Sequence, residues 1–154
     1  HDSTLVFAPH LNSYDRLIPE NHAPCGICWA YENRTSAIRV PSGSPAARRI
    51  EHRVAGGDVN PYLLVAAILG AALTGIEDAQ EPPEPISGNA YAQDLPRIPA
   101  DWGAAMDAFE QSAIMPRILP EDLIRNLLLT KRQELYYMSE LSPTEQVEIY
   151  LDTV

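Results

Sequence analysis

Apolar positions fall into short, strand-length runs in the first third of this chain and helix-length runs after it. Pro9 suits a first helical turn, and the spacing predicts a short helix over 10–17. A polar loop bounded by Pro19 and Pro24 follows. Strands are predicted at about 25–32, 36–40 and 49–54. The last two are joined by the breaker-rich Pro41-Ser42-Gly43-Ser44-Pro45, which suggests an antiparallel pair. Asn60-Pro61 then signals the clearest helix, 60–76, with Asn60 as N-cap, Pro61 in the first turn and Gly75 able to end it. Its body is apolar nearly all round, which predicts burial on most faces, and Ala66, Ala67, Gly70, Ala71 and Ala72 would let neighbours approach closely. A proline-rich acidic connection covers 77–101, a length that is commonly functional or poorly ordered. Helices are expected at about 101–113 and 120–139, the second with Glu121 and Asp122 in its first turn to suit the helix dipole, and a short one begins at Ser142-Pro143. The fold class is therefore α+β: short antiparallel strands on a buried helix of about 60–76, with further helices toward the C-terminus.

Charge changes this picture. The 154 residues carry a net charge of −10, unevenly spread. Residues 1–53 hold six basic and five acidic side chains, and residues 54–154 hold five and sixteen. So acidic a chain offers no basic face for nucleic acid and no basic amphipathic helix for a membrane surface. The longest apolar run, Tyr62 to Ile76, is shorter than the roughly 18–20 residues a membrane span needs. Cys25 and Cys28 form a C-x-x-C, a spacing used by redox pairs and, with a second pair, by zinc. No second pair exists, and on a strand positions three apart point to opposite faces. Two small buried residues are the simpler reading, with a reduced, cytoplasmic setting as the default.

The first third holds the chemistry. Ten of the eleven basic residues are arginine, the planar donor suited to carboxylates and phosphates. Arg34, Arg39, Arg48, Arg49 and Arg53 crowd onto and just before the second and third predicted strands, beside Glu51. Period-2 geometry puts Arg49, Glu51 and Arg53 on one strand face and His52 on the other. A solvated face of weak ion pairs would account for the spacing. However, five arginines repel one another unless anions neutralise them, and Glu51 supplies one charge. A carboxylate among arginines stays ionised, the state a metal ligand needs. His52 reads as packed. His22, in its loop, is the histidine free to act as acid or base. No P-loop, G-x-G-x-x-G or H-E-x-x-H is present.

The run Asn33-Arg34-Thr35-x-x-Ile38-Arg39-Val40-Pro41 resembles the ATP-binding signature of the glutamine synthetase family. Arg48-Arg49-Ile50-Glu51-x-Arg53 and Asn60-Pro61-Tyr62-Leu63 continue the likeness in register, and Asn12-Ser13-Tyr14-Asp15-Arg16 resembles the preceding motif. It is close over residues 9–76 and looser over 77–154. It implies that the strands are part of that family's catalytic sheet. The implied reaction forms an amide from glutamate and ammonia or an amine, through γ-glutamyl phosphate, with ATP and divalent metals (magnesium or manganese). By resemblance Arg16 holds the glutamate α-carboxylate, and Arg34 contacts glutamate and the transferring phosphate. Arg39 and Arg49 bind ATP, Glu51 is a metal ligand, and Arg53 meets glutamate and the γ-phosphoryl group.

Some positions depart from the family pattern. Where ammonia-using members carry a glutamate in the proline-flanked loop, this chain has His22, which favours an organic amine. The run from Glu51 to Tyr62 looks more like γ-glutamylpolyamine or γ-glutamylethanolamide synthetases. Ala46 stands where bacterial members carry a lysine. Asn89-x-Tyr91 resembles the family's adenylylated tyrosine, but Ala92-Gln93 breaks that motif. The resemblance places all of 1–154 in the C-terminal portion of the catalytic domain, without the N-terminal domain and most metal ligands. The expectations are a fragment inactive alone and a homo-oligomer at full length. The competing reading is a non-catalytic binding or assembly module.

Overall fold

In the computed structural model, which describes residues 1–153, a three-stranded sheet lies against a set of helices. In chain order the elements are helix α1 (Thr4–Phe7), strands β1 (Trp29–Tyr31), β2 (Ile38–Val40) and β3 (Glu51–His52), then helices α2 (Pro61–Glu77), α3 (Trp102–Glu110), α4 (Met115–Ile118), α5 (Glu121–Ser139) and α6 (Pro143–Thr153). The helix expected over 10–17 is a 3₁₀ helix, Leu11–Arg16.

β2 and β3 are antiparallel as expected, with Ile38 opposite His52 and Arg39 opposite Glu51. All three strands are shorter than predicted. β1 and β2 run parallel, Trp29 beside Ile38 and Tyr31 beside Val40, so the antiparallel expectation holds for one of the two pairs. A parallel return normally needs a long crossover. Here the strands are three residues long, and the six residues between them span the return. Glu32, in the left-handed region at φ 51°, starts that turn, and the Ser36 hydroxyl, donating to the Asn33 carbonyl at 2.8 Å, closes it.

The core gathers α1, α3, α4 and α5 around Leu5, Phe7, Trp102, Met106, Phe109, Met115 and Leu128. α2 begins where the sequence placed it. The Asn60 side chain accepts from the amides of Tyr62 (3.0 Å) and Leu63 (3.2 Å), supplying partners to two otherwise unbonded donors of the first turn. The helix passes Gly75 and ends at Glu77. Burial on most faces holds for one face only: Ala67 is fully buried, whereas Tyr62, Val65, Leu69, Leu73 and Ile76 are exposed. Uniform apolarity leaves the buried side unmarked, and α1 and α4 cover only one. Gly70 faces α4 so closely that a Cβ there would collide with Ile118, the close approach that the small residues foretold.

The proline-rich connection is ordered by bonds to the first strand region. The Ile86 amide donates to the Trp29 carbonyl (3.0 Å) and Trp29 Nε1 to the Pro83 carbonyl (2.6 Å). Further along, the Ile27 amide donates to Pro96 and the Ile98 amide to Cys25. Segments between Pro83 and Ile98 thus supply partners to the first residue of β1 and to the stretch from Cys25 that leads into it. Cys25 is buried and Cys28 half-buried, both as free thiols, and burial raises the Cys25 pKa.

Candidate functional site

The β2–β3 register sets the centre of the site. Arg39 and Glu51 are direct cross-strand partners, and Arg39 Nη1 donates to Glu51 Oε2 at 3.0 Å. Two residues beyond Glu51, Arg53 Nε lies 3.2 Å from Glu51 Oε1. Each oxygen of this carboxylate therefore faces a different guanidinium. Arg39 turns its other terminal nitrogen to Glu32 Oε2 at 3.1 Å. Glu32 also accepts from the Ser42 amide. That backbone bond, with Arg39 next, holds the Glu32 carboxyl below its usual range, and Glu32 in turn raises the Arg39 pKa. The side chains of Arg39 and Arg53 are 14% and 15% exposed, so both charges are held largely out of bulk water.

Arg53 also ties three segments together. It donates to the Arg34 carbonyl, and through Nη2 to the His22 carbonyl at 3.1 Å. Arg34 is exposed and has no ion-pair partner among the described residues. With Tyr31, Glu32 and Arg39 it lines a cleft of about 940 Å³, whose opposite wall is Pro85–Asn89 of the proline-rich connection. That wall is fixed: Asn33 Nδ2 donates to the Gly88 carbonyl at 2.7 Å, and the Ala90 amide to Thr35 Oγ1 at 2.9 Å.

The structure thus brings Arg34, Arg39, Glu51, Arg53 and the His22 loop together. It leaves Arg49 outside: that side chain is exposed and donates to the Ala47 carbonyl at 3.2 Å. The cause is the shortness of β3, which begins only at Glu51, so the strand alternation does not reach Arg49. Arg16 sits apart from the cleft. It donates to the Val54 carbonyl, lies beside Gly56 and Asp58, and its pKa is lowered first by burial. Its buried Nε has no partner in the described structure. His52 points behind the sheet, its ring 4.2 Å from that of Phe7, and burial pushes its pKa down to about 4.

Sequence reasoning missed Glu32 and the connection wall. Glu32 directly precedes Asn33-Arg34, so its sign and position were in view, but its partner Arg39 is set by the parallel β1–β2 register. The residues present do not make a metal cage. A divalent ion takes about six oxygen ligands, whereas Glu51 is one carboxylate already shared by two arginines, and no group of three or more His, Cys, Asp or Glu side chains among the described residues is placed to hold an ion. What remains is a cleft with exposed Arg34 free of an ion pair among the described residues, and Arg39 and Arg53 each paired to Glu51.

The fold is an α+β domain in which a small mixed sheet carries an arginine-lined cleft walled by an ordered connection. Residues 1–150 match the family described as glutamine synthetase, catalytic domain, and the chain belongs to that family. It is 40% identical over 132 residues to a γ-glutamylethanolamide synthetase of Streptomyces coelicolor, covering 86% of this chain and 28% of that protein. It is 36% identical over 134 residues to a glutamine synthetase of Methanocaldococcus jannaschii, covering 82% and 30%. Among solved structures it matches ligand-free GmaS with a TM-score of 0.77 at 31% identity, over 94% of this chain and 34% of that one. The chain thus spans about a third of the length of the relatives it matches.

Proposed function

We propose that this chain supplies the glutamate- and ATP-phosphate-binding face of a ligase that forms a γ-glutamyl amide. The glutamate γ-carboxylate attacks the γ-phosphorus of ATP and ADP leaves. An amine or ammonia nitrogen then attacks the acyl carbon of γ-glutamyl phosphate, phosphate leaves, and the nitrogen loses a proton. Both steps concentrate negative charge, and phosphoryl transfer is catalysed chiefly by positioning and neutralising it. Arg34, open in the cleft, meets the transferring phosphate and glutamate. Arg39 and Arg49 belong to ATP, Arg49 only if its segment folds inward. Arg53 holds the γ-phosphoryl oxygens, Arg16 the glutamate α-carboxylate, and His22 takes the amine proton. Glu51 offers one metal ligand, and magnesium or manganese would need the others from outside these residues. The proposal extends to a cytoplasmic protein that forms a homo-oligomer at full length and takes neither nucleic acid nor a membrane as partner.

The observation that carries this reading is the cleft with Arg34 open and Arg39 and Arg53 pre-set around one carboxylate. The second reading, a binding or assembly module without chemistry, draws on one fact: Glu32 and Glu51 already neutralise Arg39. Nucleotide titration separates them. ATP should bind the 154-residue chain, and Arg34→Ala should weaken that binding about ten-fold, as loss of a charge-assisted contact does. No ATP binding, or binding indifferent to Arg34→Ala, would favour the module. The reaction itself is read by joining this chain to the upstream portion of the Streptomyces coelicolor relative and following γ-glutamyl amide by mass.

A further inference from the structure

The loop Ile18–Pro24 is held in an unfavourable shape. Glu20 and His22 both adopt left-handed backbone angles, φ 67° and 62°, although neither is glycine. Such residues persist only where their surroundings over-determine them. The Asn21 side chain donates to the Asp15 carbonyl at 3.2 Å at the loop's start. Arg53 donates to the His22 carbonyl at 3.1 Å. The last tie comes from the far side of the cleft: the Tyr91 hydroxyl donates to the Ala23 carbonyl at 2.9 Å, across 68 residues of sequence.

Tyr91 is itself anchored. Asn89 accepts its amide at 2.9 Å, and the adjoining Ala90 amide bonds to Thr35 Oγ1. Thr35 belongs to the turn that carries Arg34, and the Arg34 carbonyl accepts from Arg53. The bonds therefore close a ring: from the Arg34 turn to the connection, through Tyr91 to the loop, through His22 to Arg53, and back to Arg34. We infer that Tyr91 is a positioning residue, whose hydroxyl closes this ring, fixes the His22 loop against Arg53 and so sets the choice between ammonium and an organic amine. The loop and ring are geometry of this chain; the acceptor consequence rests on the proposed function.

Tyr91→Phe removes the hydroxyl and keeps the ring, and Thr35→Val cuts the same circuit elsewhere. In the 154-residue chain, amide hydrogen exchange over residues 20–25 should accelerate about five-fold in each variant, as expected for one net hydrogen bond, with exchange in α5 unchanged. Unchanged exchange in the loop overturns the latch. In the ligase completed with the Streptomyces coelicolor portion, Tyr91→Phe should shift the methylamine-to-ammonium ratio of kcat/KM while the KM values for glutamate and ATP stay put. A freed loop with an unaltered ratio overturns the positioning role. If the unsubstituted ligase makes no amide, the proposed function fails, and the exchange result still decides the latch.

Discussion

At single residues the site is a matter of which charges find partners. Glu51 cannot neutralise five arginines, and the fold answers by bringing in Glu32 and leaving Arg49 outside the cluster. Arginine crowding was legible in the sequence because period-2 geometry needs only local spacing. Glu32 was not, because its partner is fixed by a parallel register that no short-range pattern encodes. His22 is exposed in its loop, and its proposed part in the acceptor step is open to direct test. In the completed ligase, His22→Glu should raise ammonium use relative to methylamine by roughly a hundred-fold, the lower end of what general bases contribute. An unchanged ratio of kcat/KM would remove His22 from the acceptor step. His52 makes a prediction of another kind. Its folded pKa is about 4, below the ordinary value of about 6.5 for an unfolded chain. Below about pH 6.5 the unfolded state binds a proton that the folded state refuses, so this group's contribution is complete above that pH and is lost as pH falls toward 4. Between pH 7 and pH 5 the loss is at most about 2 kcal/mol, and roughly half that after allowing for partial solvent contact. Urea midpoints at the two pH values should show it, and His52→Leu should flatten the difference.

At the scale of elements, helix starts were readable, while the end of α2 and the buried faces were not. Asn60-Pro61 opens α2 and Pro120-Glu121-Asp122 opens α5, both fixed by chemistry within four residues. The exposed side of α2 was hidden because a helix apolar all round carries no phase. The two glycines of that helix separate local from tertiary effects. Gly70 abuts Ile118 of α4, whereas Gly75 has open space where a Cβ would go. Alanine favours a helix over glycine by about 1 kcal/mol, and overfilling a tight contact costs about 1–3 kcal/mol. Gly75→Ala should therefore raise the urea midpoint and Gly70→Ala lower it. Matching signs would mean that α2 does not approach α4 as closely as described.

At the scale of the whole molecule, the chain belongs to a catalytic-domain family, spans about a third of its relatives and carries an arginine face without a metal cage among its described residues. Arginines alone can bind a triphosphate. Moving its γ-phosphoryl group asks for more, since the charge developing on that group is normally shared with ions that bridge the phosphates, a contribution of several kcal/mol. Glu51 is already shared between Arg39 and Arg53, and an ion reaching it would compete with both for its oxygens. Binding and turnover should therefore come apart in the 154-residue chain. With ATP, glutamate, magnesium and either ammonium or methylamine, it should bind nucleotide yet form no γ-glutamyl amide above the protein-free rate. Detectable ATP-dependent amide, traced with labelled glutamate and abolished by Arg34→Ala, would mean that these residues complete an ion site in solution. The arginine face would then be a whole active site instead of one side of it.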